Sequence, residues 1–379
     1  MPRRSSFAVC LYTDTFLPDV GGAEMVLHNL AARLCRQQRR VVVVAPRPRR
    51  VDGPEEEQVE AQRDRYQVSR FRRPFSKRWG VRLVLPRLIR LHRRHRFDVL
   101  HCHAAYPQAY VASTLKRLCG IPYVVRPHGS DILPGERIRS NPRLERRARR
   151  GLADADAVIA QGEFLKEVIV DLGVDENQVR VIHNGVDLSE FAAAPPYSHP
   201  RPYLLALGNL SRRKGMDVLI RAYARLASPR ADLLIAGTGG ELEALRELSN
   251  ELGVASRVRF VGFVSGVEKV SLYRGAEFFV CPSRREPFAN VILEAMASGL
   301  PVVATDVGGN RQLVGSGRHG LLCRSEDAEG MAGALGALLD SPDRLSDSRA
   351  AVPEYVARFG WERIAQQYAT LYDEVARAA

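Results

Sequence analysis

Long uncharged apolar runs are missing from this chain of 379 residues. Nothing in it approaches the roughly 18 to 20 residues that a helix needs to span a bilayer, which excludes an integral membrane protein built of helices. The amino terminus, MPRRSSFAVCLYTDTF, has two arginines, but Asp14 cuts its apolar run short. It reads as a first strand rather than a secretion signal. The six cysteines (Cys10, Cys35, Cys102, Cys119, Cys281 and Cys323) never form a C-x-x-C pair. Most lie in apolar segments, where a free thiol packs as a small hydrophobe, so a reducing compartment without a disulfide framework is expected. Lysine is scarce, five of the 56 basic residues, and a GC-rich codon bias suffices to explain the excess of arginine. Internal sequence repeats and low-complexity tracts are missing as well.

What is present is enough for two ordinary domains with real cores: apolar residues make up 45% of the chain. The net charge of +13 is uneven. Residues 1–195 hold 34 basic and 22 acidic residues, the remainder 22 and 21. Twelve Lys or Arg and no acid fall between Arg65 and Phe97. Within that stretch residues 70–96 read as an amphipathic basic helix interrupted at Pro86, with Trp79 as an interfacial anchor. An anionic membrane surface is the expected partner, against the plainer reading of a helix packed on its sheet. No nucleic-acid partner is expected, since no recognition motif accompanies the charge. His101-Cys102-His103 puts two imidazoles on one face of a strand but has no third ligand nearby in sequence, so no metal site is expected. Pro54–Arg65, acidic then basic, reads as a solvated surface loop.

Strand-like runs alternate with helical patterns throughout. Phe7–Tyr12, Val41–Ala45, Asp98–His103, Pro122–Arg126, Ala157–Ala160 and Val179–Ile182 form one series. Tyr203–Gly208, Asp232–Gly237, Val258–Gly262, Glu277–Cys281 and Pro301–Thr305 form another. Helices are expected at Ala23–Arg36, Met216–Leu226, Glu241–Leu252, Val291–Ser298 and Trp361–Ala376. This alternation predicts an α/β chain with two doubly wound, parallel-sheet, Rossmann-like domains. The small and Pro-rich stretch 192–200 reads as a linker. The expected division is 1–191, a linker at 192–200, a second domain at 201–355, and a carboxyl-terminal helix at 356–379 packing back on the first.

Chemistry concentrates where strands end. Pro282–Gly309 reads PSRREPFANVILEAMASGLPVVATDVGG. Pro287 suits a first helical position. The amides of Phe288, Ala289 and Asn290 would then open at the helix mouth, where oxygen-rich or anionic ligands bind. Glu286 and Glu294 would stand about 12 Å apart along that helix. Gly21-Gly22, between the first strand and the first helix, lets backbone approach a ligand. His128, in Pro127-His128-Gly129-Ser130-Asp131, ends a strand of the first sheet. Asn209, Arg212, Arg213 and Lys214 lie in the turn after the first strand of the second domain, where positive charge would neutralise a diphosphate. Gly237–Gly240 reads as a tight connection, and His183–Asp187 with Phe191 as a structural turn.

Together these motifs, in order over about residues 7–375, resemble the retaining glycosyltransferases of family 4. They match its P-x-x-G-G-x-E loop, strand-end H-G-x-D, N-G-V-D-x-x-x-F turn and E-x7-E element. The resemblance implies a GT-B fold, with the two domains facing across a cleft. It implies transfer of a sugar from a UDP- or GDP-sugar to a glycan or lipid-linked acceptor in cell-envelope or exopolysaccharide synthesis. The expected setting is cytoplasmic, at the inner membrane face, with neither metal nor resident cofactor. It further implies catalytic roles for His128 and Glu286. Donor binding would fall to Gly21, Gly22, Asn209, Arg213, Lys214, Phe288, Ala289, Asn290 and Glu294. Where the family often carries G-R-L-x-x-x-K-G, Asn209 replaces the arginine, and Arg212 or Arg213 is the alternative source of that charge. A nucleotide-sugar epimerase on the same fold, or a silent nucleotide-binding relative, are the alternatives.

Overall fold

The computed structural model describes residues 7–19, 21–48, 66–72, 77–227, 230–315 and 317–379. The loop expected at residues 54–65 lies outside the described residues, as do the side chains of residues 77–83, including the proposed anchor Trp79. The chain forms two units, residues 1–184 with 361–379, and residues 185–360.

The first unit is built on seven parallel strands: β1 (Ala8–Thr13), β2 (Arg40–Pro46), β3 (Gln67–Phe71), β4 (Val99–His103), β5 (Tyr123–Val125), β6 (Ala157–Ala160) and β7 (Val179–Val181). Their order across the sheet is β3-β2-β1-β4-β5-β6-β7. The central strands read as unbroken apolar runs because both faces are covered. Cys10, Tyr12, Leu100 and Cys102 face one core with Leu88, Leu115 and Ile169. Their neighbours Val9, Leu11 and Val99 face the other core with Leu27, Leu30 and Leu34. That second core is completed by the helix Trp361–Ala378, which supplies Trp361, Ile364, Tyr368 and Tyr372.

The second unit holds six parallel strands: β8 (Tyr203–Leu207), β9 (Asp232–Ala236), β10 (Val258–Gly262), β11 (Phe279–Cys281), β12 (Val302–Thr305) and β13 (Gly320–Cys323). Their order is β10-β9-β8-β11-β12-β13. Residues 185–200, which the sequence divides between the first domain and a linker, fall here instead. The Val186 amide donates to the Phe359 carbonyl at 2.9 Å. Asp187 caps the short helix Leu188–Ala193, and Phe191 is buried in the core of this unit.

Eleven strands match the runs read from the sequence, and β3 and β13, both at sheet edges, are additional. The helix Lys77–His95 passes through Pro86 without the expected break. Pro86 is exposed while Val84 and Leu88 beside it are buried, so packing on the sheet outweighs the lost backbone hydrogen bond. Leu85, Ile89 and Leu91 pack on the same core. The apolar face of this helix is therefore spent inside the unit, and Arg90, Arg93 and Arg94 are left exposed. Among the described residues no helix is long and apolar enough to cross a membrane.

Candidate functional site

Each sheet reverses its strand order at one place, beside β1 in the first unit and beside β8 in the second. Open parallel sheets bind ligands at such switch points, off the carboxyl ends of the strands. The turns after β8 and β11, which flank the second reversal, carry Asn209–Lys214 and Pro282–Asn290.

Those two turns are locked together. Gly215 has φ +66, and a Cβ there would lie 2.1 Å from the Pro282 carbonyl oxygen, so only glycine lets the two backbones meet. The Arg284 amide donates to the Arg213 carbonyl at 2.8 Å and its Nη1 to the Arg212 carbonyl at 2.7 Å. Arg284 also grips Asp217 through two bonds of 2.7 and 2.8 Å and reaches Glu326 at 2.9 Å. This fork holds the Asp217 carboxyl below its usual range. Arg284 is thus a clamp between the turns, a role that nothing in the sequence pattern announced.

The clamp brings together two residues expected at the site and 72 positions apart in the chain: Lys214 Nζ donates to Glu286 Oε2. Glu286 is buried, with Ser283 Oγ 3.4 Å from the same oxygen. The second glutamate has other partners. Lys269 Nζ lies 3.0 Å from Glu294 Oε1, and the Tyr273 hydroxyl donates to Oε2 at 3.0 Å. Lys269 and Tyr273 stand one turn apart on the helix Gly266–Gly275 and were not foreseen. Their i, i+4 spacing is the only signal, and it does not say what they face.

Two expectations change here. The helix starts at Asn290, not at Pro287. Residues 286–289 form a turn held by Glu286, whose carbonyl accepts from the Gly309 amide at 3.2 Å. Gly309 approaches so closely that a Cβ would stand 2.6 Å from the Pro287 carbonyl oxygen. The spacing between the two glutamates is therefore part turn and part helix, and the 12 Å helical rise does not apply. Phe288 and Ala289 put their side chains into the core, which leaves only their backbone for a ligand. Asn209, Arg212 and Arg213 are exposed on the turn after β8.

In the first unit, Gly21 precedes the helix Gly22–Arg36 and accepts from the Met25 amide at 3.0 Å. Glu24 in the first turn folds back over Gly21 and accepts from the Thr15 hydroxyl. His128 follows β5, fixed by Asp131, which accepts from the His128 amide at 2.8 Å and from the Ala105 amide at 2.7 Å. Arg126 Nη1 lies 3.0 Å from His128 Nδ1, and its Nη2 donates to Asn184 Oδ1. His103, at the end of β4, has its ring centroid 5.4 Å from that of His128. Burial, then Arg126, pushes the His128 imidazole down to about 3. His101 and His103 are also driven well below the usual range, burial again first. Among the described residues no group of three or more His, Cys, Asp or Glu is placed to hold a metal ion.

The model described as Glycosyltransferase Family 4 matches residues 20–190, and that described as Glycosyl transferases group 1 matches residues 190–356. The chain is similar to D-inositol 3-phosphate glycosyltransferase 1 of Catenulispora acidiphila, 32% identical over 301 residues, which cover 73% of this chain and 72% of that protein. An uncharacterized glycosyltransferase of Methanocaldococcus jannaschii is 28% identical over 372 residues, covering 93% and 94%. In fold, the chain resembles HepE of Anabaena, solved in complex with UDP, with a TM-score of 0.80 and 22% identity over 97% of this chain and 100% of that one.

Proposed function

We propose, for a chain that belongs to the group 1 glycosyl transferases of glycosyltransferase family 4 and has their GT-B fold, retaining transfer of a hexose from a UDP- or GDP-sugar to a glycan or lipid-linked acceptor. The observation that carries this reading is the Lys214–Glu286 pair at the switch point of the second sheet. Without ligand, the buried carboxylate neutralises the ammonium. A diphosphate offers Lys214 a more highly charged partner. Glu286 is then released to accept hydrogen bonds from hydroxyls of the donor sugar, with backbone amides of residues 288–290 beside it. Glu294, its carboxylate oriented by Lys269 and Tyr273, accepts from the ribose hydroxyls. The UDP complex of the HepE relative in fold supports the donor class.

In the proposed reaction the bond from the sugar C1 to the phosphate oxygen breaks, and the acceptor oxygen bonds to C1 on the same face. The acceptor proton passes to the departing phosphate oxygen, so no pair of protein carboxylates need flank the bond as in glycosidases. His128 and the Gly21-Gly22 loop serve the reacting groups, and turnover needs no divalent metal. The acceptor belongs to cell-envelope or exopolysaccharide synthesis at the inner face of the membrane. Exposed Arg90, Arg93 and Arg94 favour an anionic surface by charge alone.

Thermal unfolding with UDP, GDP, ADP and their common sugar conjugates, with and without magnesium, tests this reading. A nucleotide at one hundred times its dissociation constant stabilises the fold by about 2.7 kcal/mol. A shift with one base, indifferent to magnesium, is expected. No shift with any nucleotide would overturn the donor assignment.

A further inference from the structure

His128 has one ring nitrogen already committed. Arg126 Nη1 stands 3.0 Å from its Nδ1. A guanidinium has only donors and keeps its proton in proteins, so Nδ1 must offer its lone pair. A neutral imidazole that accepts at Nδ1 carries its proton on Nε2. Among the described residues Nε2 has no partner, and the ring is only half-buried. Burial first, and then the groups facing the ring, keep it neutral. Arg126 opposes a second positive charge. His103 is itself buried and held neutral. The Asp131 carboxylate is spent on two backbone amides rather than on the imidazole.

Arg126 is buried without an ion-pair partner. It is 1% exposed, its Nε has no partner, and its other donors meet a neutral imidazole and the neutral Asn184 amide. Among the described residues no carboxylate lies within ion-pair distance of it. The Asp131 carboxylate lies near enough to feel the guanidinium charge without pairing with it, so Arg126 is buried on two neutral hydrogen-bond partners at a cost only partly offset, and one of those partners is His128.

We infer that Arg126 is a positioning residue that fixes His128 as the Nε2–H tautomer, so that His128 meets its ligand as a hydrogen-bond donor to an oxygen lone pair and not as a proton acceptor. This deepens the proposed function, on which it rests: the oxygen belongs to a sugar hydroxyl or to the transferring group. The acceptor proton must go elsewhere, which agrees with its transfer to the departing phosphate.

The test is two-bond proton–nitrogen correlation across the imidazoles of protein labelled with 15N-histidine, with His128 assigned by loss of its signals in His128→Asn. The expected spectrum has an unprotonated Nδ1 and a protonated Nε2 at both pH 7 and pH 5.5. An Nδ1–H ring, or a ring that titrates between pH 5 and 8, overturns the inference. Arg126→Met is expected to mix the tautomers, with burial still holding the ring neutral, while Arg126→Lys keeps the Nε2–H form because an ammonium also only donates. If the methionine variant does not fold, the wild-type spectrum alone decides. In transfer assays Arg126→Met lowers kcat about tenfold, the loss of one well-placed hydrogen bond, with KM for the donor unchanged and activity partly restored by lysine. Loss confined to KM would contradict a positioning role. The predicted tautomer in a protein without transferase activity would uphold the inference and overturn the proposed function.

Discussion

Mild acid should weaken the first unit far more than an ordinary surface would allow. His28 is buried, with its Nδ1 2.6 Å from the Tyr66 hydroxyl, and burial followed by Arg33 pushes it down to about 4. His128 is pushed down to about 3, and His101 and His103 move the same way. Each folded pKa lies below the unfolded value of about 6.5. The unfolded chain therefore binds more protons in the window between, and stability, complete above pH 6.5, is lost as pH falls towards the folded values. Between pH 7.5 and 5.5 a histidine such as His28 or His128 costs on the order of 1 to 2 kcal/mol. His28 and His128 together give about 3 kcal/mol, and His101 and His103 add to the loss in the same direction. Asp131, raised by burial, works in the opposite direction, but only as pH approaches its own raised pKa. Both tryptophans, Trp79 and Trp361, belong to the first unit, so their fluorescence reports its unfolding. With a urea m-value near 3 kcal/mol/M, the midpoint should fall by about 1 M or more between the two pH values. An unchanged midpoint would mean that these imidazoles protonate freely inside the fold, and the account of the cluster would be refuted.

Two further outcomes bear on the second unit. Gly215→Ala combines a positive φ with a Cβ 2.1 Å from a backbone oxygen. It should destabilise the protein by roughly 2 kcal/mol or more, measured by denaturant unfolding, and an alanine variant of wild-type stability would show that the two turns are not locked. Lys269→Met, which frees Glu294 from its ion pair, should weaken nucleotide binding several-fold by titration calorimetry, about 1 kcal/mol. Glu294→Ala should weaken it further, and equal affinity in all three proteins would remove both residues from the donor site.

Periodicity located every central strand because a strand covered on both faces must be apolar along its whole length. β3 escaped for the complementary reason. Gln67, Ser69 and Arg70 sit at a sheet edge, half-buried at most, and leave no apolar run to find. β13, no shorter than β6 or β12, also lies at an edge, opens on Gly320 and offers only the half-buried Leu321 and Leu322 and the buried Cys323 as an apolar run. The site divides similarly. Glu286, Glu294, Lys214 and His128 stand in motifs whose spacing along the chain is fixed. Their partners Lys269, Tyr273, Arg284 and Arg126 act through contacts made only after folding, such as Arg126 reaching across to Asn184. Pro287 misled because a proline that fits the first turn of a helix fits the turn before one equally well, and the Gly309 contact decided between them.

The helix Trp361–Ala378 has a consequence for how the protein is made. Its residues fill a core whose strands were translated hundreds of residues earlier, and Tyr372 bonds to His101 at 2.6 Å. The second unit lies wholly between those two segments. On the ribosome it has all its parts before the first unit does, so the usual order of amino-terminal folding first is reversed here. Until residues 361–378 emerge, one face of the first sheet has only the helix Gly22–Arg36 to cover it, and a nascent chain stalled before Trp361 is a substrate for chaperones even though its second unit is complete.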